Sequence, residues 1–174
     1  MGPPLRRATE ADFPQIVALT NRAYRDTGPG ASWNVETMIE GQRLTQDQLS
    51  ADLAAAPQAQ LMIWRDEAGE HLGHVWLEPQ ADGVWYLGLL TVRPDRQDQG
   101  LGRALLAASE AYARGQGARR IEMTVVDRRD TLIAWYERRG YRLTGERRPW
   151  PYDDPGIGHP TVPDLGFVVL EKAL

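Results

Sequence analysis

The sequence contains no cysteine and only three histidines. Without cysteine the chain has no disulfide, no thiolate ligand for a metal and no sulfur nucleophile that could carry an acyl group. Two histidines, His71 and His74, lie in a segment that alternates like a β-strand, where positions three apart point to opposite faces. Such a pair makes a poor chelate, and no metal site is predicted.

Long hydrophobic runs are also missing. No apolar stretch approaches the roughly 18 residues that a membrane-spanning helix needs, and the first residues, MGPPLRRATEADF, lack the apolar centre of a signal peptide. The charge is nearly balanced, with a net value of -4, so no nucleic-acid or membrane partner is predicted and any anion site must be local. We therefore expect a cytoplasmic protein.

The chain of 174 residues is long enough for one hydrophobic core and short for two. No repeat or linker divides it, so residues 1–174 are predicted to form a single domain. A helix is predicted over Thr9–Tyr24, where Thr9 and Asp12 form a helix-start pattern. Two shorter helices are predicted over Trp33–Gln42 and Thr45–Ala56.

Strand patterns begin at Gln60. Three hairpin-linked strands are predicted in LMIW, HVWLE and VWYLGLLTV, followed by a helix from Leu101 to Tyr112 and a strand, IEMTVV. This strand–helix–strand order is typical of a parallel crossover. A helix over Asp130–Arg139 and two last strands, YRLTGE and LGFVVLE, complete an α/β fold. Its central sheet is predicted to be mixed and mostly antiparallel, with helices on both faces.

The segment most informative about chemistry is LLTVRPDRQDQGLGRALL, residues 89–106, where a strand leads through a loop into a helix. The first turn of a helix has about four backbone N–H groups without partners and roughly half a positive charge. Gly100 and Gly102 have no Cβ to keep a phosphate from that backbone, so this turn is a candidate pyrophosphate site. A turn that needs glycine only for its shape is the alternative. The loop has neither the GK[ST] ending of a nucleotide-triphosphate loop nor the GxGxxG spacing of a dinucleotide fold.

QDQGLG, from Gln97 to Gly102, matches the [QR]xxGx[GA] acetyl-CoA signature of the GNAT N-acetyltransferase superfamily, and the strand before it ends in V-x-P as in that family. IAWYERRGY, from Ile133 to Tyr141, resembles the family's late helix. The resemblance covers residues 89–141. It implies a single GNAT domain that transfers an acetyl group from acetyl-CoA, its co-substrate, to a primary amine. Because the chain has no cysteine, direct attack of the amine in a ternary complex is the economical mechanism.

The resemblance also implies roles for individual residues. Tyr136 corresponds to the family's tyrosine beside the coenzyme sulfur, which donates a proton to the departing thiolate; a packing role is the alternative. The implied coenzyme contacts are strand residues that pair with the pantetheine arm and loop residues at the pyrophosphate: Leu90, Thr91 and Val92, and then Gln97, Asp98, Gln99, Gly100, Leu101, Gly102 and Arg103.

Two positions depart from the family's pattern. Arg129 stands where many relatives carry an asparagine that hydrogen-bonds pantetheine, so the expected coenzyme contact there would be made by an arginine. Gly88 and Leu89 stand where relatives often place an acid, so the general base is not identified in that strand. The remaining candidates are Glu122, in the strand that in the family diverges to admit the thioester, and Glu78, near a strand end. A charge on the wrong face of its strand is the alternative for Glu122.

The segment from Ser32 to Arg43 is expected to line the acceptor side of the cleft, because in relatives this region covers the acceptor. Trp33 offers a flat apolar face, Glu36 could pair with an amine, and Arg43 could anchor a carboxylate bidentately. Glu78 is expected on the same side. An ordinary helix surface, with Trp33 as a packing anchor, is the alternative.

The acceptor is expected to be a small molecule or a peptide that carries an amine, and the fold does not select among these. A homodimer is compatible with the sequence. A protein of a different class, which binds coenzyme A without catalysis and senses it or a partner, is the alternative function. The residues at Gly88 and Arg129 favour that alternative, whereas Tyr136 favours an enzyme.

Overall fold

The computed structural model describes residues 4–26, 31–32 and 35–174, without the side chains of Gln97, Asp98 and Pro155. Nine strands occur in this part of the chain: β1 (Leu5–Arg7), β2 (Ile39–Glu40), β3 (Gln60–Arg65), β4 (His71–Pro79), β5 (Val84–Val92), β6 (Arg120–Val126), β7 (Arg142–Pro149), β8 (His159–Pro160) and β9 (Gly166–Ala173). Seven of them form one sheet in the order β1-β3-β4-β5-β6-β9-β7, while β2 and β8 form a small second sheet. Only the β5–β6 pair is parallel, so the predicted mixed, mostly antiparallel sheet is confirmed.

Four α-helices pack on this sheet: α1 (Phe13–Arg25), α2 (Gln46–Ala55), α3 (Leu101–Gly115) and α4 (Asp130–Glu137). Side chains alternate along a strand, and two separate clusters of buried residues result. Leu61 and Ile63 of β3 pack with α1 and α2, whereas Met62 belongs to the larger cluster that includes α3 and α4. The predicted helices on both faces are confirmed. None of the described helices has the length and apolar character needed to cross a membrane.

The parallel pairing of β5 and β6 is short. It joins Val84 to Arg120, Trp85 to Ile121 and Tyr86 to Glu122, and ends there. Beyond Tyr86, β5 continues along β4, while β6 continues along β9 as far as Val126. The two strands therefore diverge, and a gap opens between their carboxyl ends.

A β-bulge lies in β5 beside this gap. Leu89 and Leu90 together face the single residue Val75 of β4, and Leu89 has a positive φ of 52°. The extra residue reverses the alternation of side chains between the two faces of the sheet. Leu89 therefore packs in the buried cluster under α1 and α2, and Leu90 packs in the cluster that includes α3. A non-glycine residue with this backbone conformation costs roughly 1–2 kcal/mol, so the surrounding packing must hold it in place.

The segment before α2 corrects the prediction of a helix over Trp33–Gln42. Trp33 itself lies outside the described residues, and residues 35–42 form a turn and the strand β2. Ile39 and Glu40 pair with Pro160 and His159, in the Pro-rich stretch between the two last predicted strands. The pairing of β2 with β8 outweighs the helix propensity of these residues, because propensity contributes little free energy over so short a segment.

The pair of histidines in β4 corrects a second expectation. A register shift opposite Trp64 and Arg65 adds one residue to β4, so His71 and His74 face the same side. His74 Nδ1 lies 3.1 Å from His71 Nε2, and His74 Nε2 lies 2.8 Å from the Thr20 hydroxyl. Burial lowers the pKa of His71 to about 4, so the pair is neutral at pH 7. No group of three or more metal-ligating side chains occurs among the described residues.

The predicted start of the first helix is held by one buried carboxylate. Asp12 accepts a hydrogen bond from the Thr9 N–H at 2.8 Å, two from Arg6 at 3.0 Å, and one from Arg65 at 2.9 Å. The Arg6 hydrogen bonds, together with those from Thr9 and Arg65, hold the pKa of Asp12 well below its ordinary value. The carboxylate thus joins α1 to β1 and β3.

Replacement of Asp12 by Asn should lower the free energy of unfolding by about 1–3 kcal/mol at pH 7, because charge-assisted hydrogen bonds are lost. A depressed pKa stabilises the fold above the ordinary value of about 3.9 and loses its effect below it. The difference between wild type and variant, measured by urea unfolding, should therefore shrink from pH 4 to pH 3. Glu10→Gln, an exposed acid in the same turn, is the control. A difference independent of pH would contradict the role of this carboxylate.

Candidate active site

The gap between β5 and β6 contains a cavity of about 100 Å³. Its walls come from β5, β6, β9, α1, α4, the residue before α4, the segment before α2, and the segment between β7 and β8. The lining side chains with polar groups are Tyr24, Glu36, Arg43, Tyr86, Thr124, Arg129, Tyr136 and Trp150. The described part of the chain thus places tyrosines and arginines, rather than histidines, at the divergence of the strands.

Tyr136, the predicted proton donor, lies on α4 and lines this cavity. Its side chain is 6% exposed and packs edge-on against Trp135 and Tyr141. Burial, with the nearby Tyr24, raises the pKa of the Tyr136 hydroxyl well above its ordinary value. The hydroxyl therefore keeps its proton at neutral pH, as a general acid must before it acts.

Tyr24, near the end of α1, is a second tyrosine in the cavity wall and is half-buried. Its hydroxyl donates a hydrogen bond to the carbonyl of Leu90 at 3.2 Å, next to the bulge in β5. Thr91 lies beyond it, and its hydroxyl donates to the carbonyl of Leu89 at 2.9 Å. These two hydrogen bonds fasten the strand on which Leu90, Thr91 and Val92 were predicted to meet the pantetheine arm.

Glu36 lies between two arginines in the wall of the cavity. Its carboxylate accepts a hydrogen bond from Arg25 and faces Arg129 Nη1 at 3.5 Å, and all three side chains are less than one tenth exposed. Both oxygens of Glu36 are therefore engaged within the protein. In this structure Glu36 and Arg129 form an ion pair with each other. The predicted pairing of Glu36 with an acceptor amine and the predicted contact of Arg129 with the coenzyme stay predictions.

The start of α3 lies where the sequence pattern predicts it. Gly100 is the N-cap residue with a φ of 72°, a conformation that favours glycine, and Leu101 begins the helix. A Cβ on Gly102 would lie in van der Waals contact with the Trp135 ring, at 3.7 Å, and with Val92, so the ring packs close against this turn of the backbone. Open first-turn N–H groups beside glycine suit an anion such as a pyrophosphate.

The remaining loop residues flank this turn. Gln97, Asp98 and Gln99 lie in the 3₁₀ turn over Pro94–Gln99, and the side chains of Gln97 and Asp98 lie outside the described part. The Arg103 side chain is exposed, with its Nη2 3.7 Å from the point where Gly100 would carry a Cβ. The loop and helix start therefore offer backbone N–H groups and one guanidinium to an anion.

A groove of about 320 Å³ adjoins the cavity and shares Arg43, Tyr86, Gly88 and Leu89 with it. The Arg43 guanidinium lies 5.5 Å from the centre of the Tyr24 ring, and among the described residues no carboxylate pairs with it. Glu78 borders the groove and accepts a hydrogen bond from the Trp76 indole at 3.1 Å. Arg43 and Glu78, which sequence reasoning assigned to the acceptor, are thus brought together in one groove.

Glu122, the other candidate base, lies elsewhere. It sits on β6 opposite Tyr86, where β5 and β6 are still paired, and its carboxylate accepts a hydrogen bond from Arg148 at 2.8 Å. Neither the cavity nor the groove includes it. The structure therefore offers no support for Glu122 as the base.

Sequence reasoning did not single out Tyr24 and Arg25 as site residues. Tyr24 has the helical spacing of a core position, and Arg25 is a basic residue in the last turn of a helix, where cations are common. Neither position therefore indicates a functional role in the sequence. Arg25 also donates to the carbonyls of Gly41 at 2.9 Å and Ile157 at 2.6 Å. The available hint was its position just before a stretch that contains glycine and proline, residues 27–32, because residues next to loops often reach functional sites.

The family model described as "Acetyltransferase (GNAT) family" matches residues 14–141 of the chain. Among characterised proteins, L-methionine sulfoximine/L-methionine sulfone acetyltransferase of Pseudomonas aeruginosa is 29% identical over 150 residues, which cover 84% of each chain. Mycothiol acetyltransferase of Propionibacterium freudenreichii is 30% identical over 138 residues, 76% of this chain; the match spans only 40% of the length of that relative.

Solved structures share the fold. A phosphinothricin acetyltransferase from Sinorhizobium meliloti in complex with AcCoA superimposes with a TM-score of 0.69 at 16% identity, over 100% of this chain and 89% of that one. A ribosomal-protein-alanine N-acetyltransferase from Brucella melitensis superimposes with a TM-score of 0.66 at 20% identity, over 98% and 99%. The predicted family and its class of enzyme are confirmed: the chain belongs to the GNAT family of acetyltransferases, whose co-substrate is acetyl-CoA.

Proposed function

We propose that this protein transfers the acetyl group of acetyl-CoA to the primary amine of a small acceptor that carries a carboxylate. The observation that carries the proposal is the position of the cavity at the divergence of β5 and β6. It contains the Tyr136 hydroxyl, and the groove with Arg43 and Glu78 opens from it. A thioester and an amine can meet there, and much of the catalysis is positioning of the two.

The amine attacks the thioester carbon directly, because the chain has no cysteine to carry the acetyl group. In this reaction the C–N bond forms, the C–S bond breaks, and the departing thiolate takes a proton. Tyr136 supplies that proton, since its hydroxyl is buried in the cavity wall and protonated at neutral pH. The start of α3, at Gly100 and Gly102, holds the pyrophosphate of the coenzyme.

The acceptor enters along the groove. Arg43 is its anchor for a carboxylate, because this guanidinium lacks a carboxylate partner among the described residues and presents a planar fork. Glu78 faces the same groove, where it pairs with the ammonium group of the acceptor and accepts the proton that this group loses before the nitrogen attacks. The acceptor named for the Pseudomonas aeruginosa relative, an amino acid derivative, has both a carboxylate and an amine and supports this proposal.

The predicted cytoplasmic location stays a prediction, as does the option of a homodimer. The alternative function, a protein that binds coenzyme A without turnover, predicts binding without release of free thiol. Tyr136 is the residue that argues against it, since a sensor needs no proton donor in the cavity. The experiments below separate binding from turnover.

Acetyl-CoA should raise the melting temperature of the wild-type protein, because a ligand that binds only the folded state stabilises it by about 2.7 kcal/mol at 100 times its Kd. Gly102→Val should weaken acetyl-CoA binding at least about tenfold, since a branched side chain is larger than the glycine or alanine that the signature allows at this position beside the pyrophosphate. The melting temperature of the free variant shows how far the change also affects folding, because a Cβ there already touches the Trp135 ring at 3.7 Å.

Gly115→Val, at the other end of the same helix, has open space around its Cβ and is the matched control. Calorimetry should give it a wild-type Kd. If Gly102→Val binds acetyl-CoA as tightly as Gly115→Val does, Gly102 is needed only for the shape of the turn and not for the coenzyme.

Tyr136→Phe should lower turnover by about 10²- to 10⁴-fold, because it removes the proton donor and keeps the ring. Affinity for acetyl-CoA should change little. Release of free thiol in the presence of pooled amino acids measures the turnover. Tyr112→Phe removes a hydroxyl that bonds Gln60 outside the cavity, so it should keep wild-type turnover. Equal turnover of Tyr136→Phe and wild type, with chemistry limiting the rate, would rule out the acid role.

Arg43→Gln should raise the KM for an amino acid acceptor such as L-methionine sulfone at least about tenfold, roughly 1.4 kcal/mol of lost binding. The carboxamide of the same acceptor has no carboxylate for Arg43 to bind, so its KM should be nearly equal in wild type and variant. Arg7→Gln, an exposed arginine on the edge strand β1, is the control. A KM that rises equally for the acid and the amide would show that Arg43 shapes the groove without recognising the charge.

A further inference from the structure

Two guanidinium groups flank the glycines at the start of α3. Arg103 Nη2 lies 3.7 Å from the point where Gly100 would carry a Cβ, and the Trp135 ring lies 3.7 Å from the corresponding point on Gly102. The Arg139 guanidinium stacks on that ring, with its Cζ 3.8 Å from the ring centre. Arg103 and Arg139 therefore both lie near the same turn of backbone, Arg103 directly and Arg139 behind the Trp135 ring.

These arginines are not neutralised by the protein. Most arginines of the chain pair with a carboxylate, but Arg103, Arg138 and Arg139 have no such partner among the described residues. Arg139 Nη1 donates to the Trp135 carbonyl at 2.8 Å, whereas its buried Nε has no hydrogen-bond partner. Burial and the positive charges of Arg138 and Arg103 lower the pKa of Arg139. A bound anion would relieve this repulsion between the positive charges.

The coenzyme itself supplies such an anion, if the proposed function is correct. Its thioester must reach Tyr136, and its pyrophosphate the turn at Gly100 and Gly102. The part beyond the pyrophosphate is the adenosine, which carries a 3′-phosphate. A phosphate monoester has a charge of about -1.5 to -2 at pH 7.

We propose that Arg139, held flat against Trp135, binds the 3′-phosphate of coenzyme A together with Arg103. The planar guanidinium fork matches two phosphate oxygens at once. Because the stack on Trp135 and the bond to its carbonyl already fix the plane of Arg139, little side-chain freedom is lost when the phosphate binds. The protein therefore selects coenzyme A over its 3′-dephospho form.

The test compares calorimetric Kd values for coenzyme A and 3′-dephospho-coenzyme A. The wild type should bind coenzyme A at least tenfold more tightly. The measured quantity is the Kd of 3′-dephospho-coenzyme A divided by the Kd of coenzyme A. Arg139→Gln should bring this ratio close to one by weakening the binding of coenzyme A alone. Arg103→Gln should give a ratio between that of the wild type and one. Arg114→Gln, an exposed arginine without a carboxylate partner at the far end of α3, should keep the wild-type ratio.

The outcomes separate this inference from the proposed function. If neither compound binds the wild type, the co-substrate assignment fails and this inference fails with it. If both bind with equal Kd, or if Arg139→Gln weakens both by the same factor, only the 3′-phosphate role is overturned. The melting temperature of each free variant shows whether a change in Kd comes from a loss of folding. If Arg139→Gln does not fold, the test rests on Arg103→Gln, because Arg103 is exposed and its replacement should leave the fold intact.

Discussion

The site depends on one limit to hydrogen bonding: β5 and β6 pair over three residue positions and then separate. Each strand keeps a partner on its other side, β4 or β9, so the separation leaves the sheet intact. Backbone groups that face the gap have no strand opposite them, and an extended amide chain such as pantetheine can satisfy them. The bulge at Leu89 turns the end of β5 within this gap, and Tyr24 fixes it through the Leu90 carbonyl.

Charge is distributed unevenly around the gap. Glu36 is the acidic side chain in the cavity wall, and Arg25 and Arg129 enclose it. Among the described residues Arg43 in the groove has no carboxylate partner, and neither do Arg103 and Arg139 near the start of α3; these are the arginines to which we assign ligands. A buried charge is costly unless it is paired, so the Glu36 cluster suits a structural role and the unpaired arginines suit ligands that carry negative charge.

The parts of this arrangement that local sequence encodes could be predicted. The strands from β3 to β6, the helix α3 with its glycine start, and Tyr136 on α4 follow from periodicity and from a short motif. The partners of Glu36 could not be predicted, because Arg25, Glu36 and Arg129 meet only through the tertiary fold. The strands β2 and β8 were missed for a similar reason, since each is two residues long and has no periodicity to detect. The prediction that His71 and His74 face opposite sides of the strand was wrong, because a bulge shifts the alternation of side chains by one residue.

Arg25 joins three segments that are distant in sequence: the end of α1, the turn at Gly41 and the carbonyl of Ile157. The small β2–β8 sheet is therefore attached to the domain through a side chain as well as through its own pairing. Under the proposed function, this attachment makes the acceptor side modular in evolutionary terms. Mutations in residues 35–43 and 155–160 would then change which acceptor fits, while the strands and the helix start proposed to face the coenzyme stay as they are. A new substrate range can then arise without a new catalytic centre.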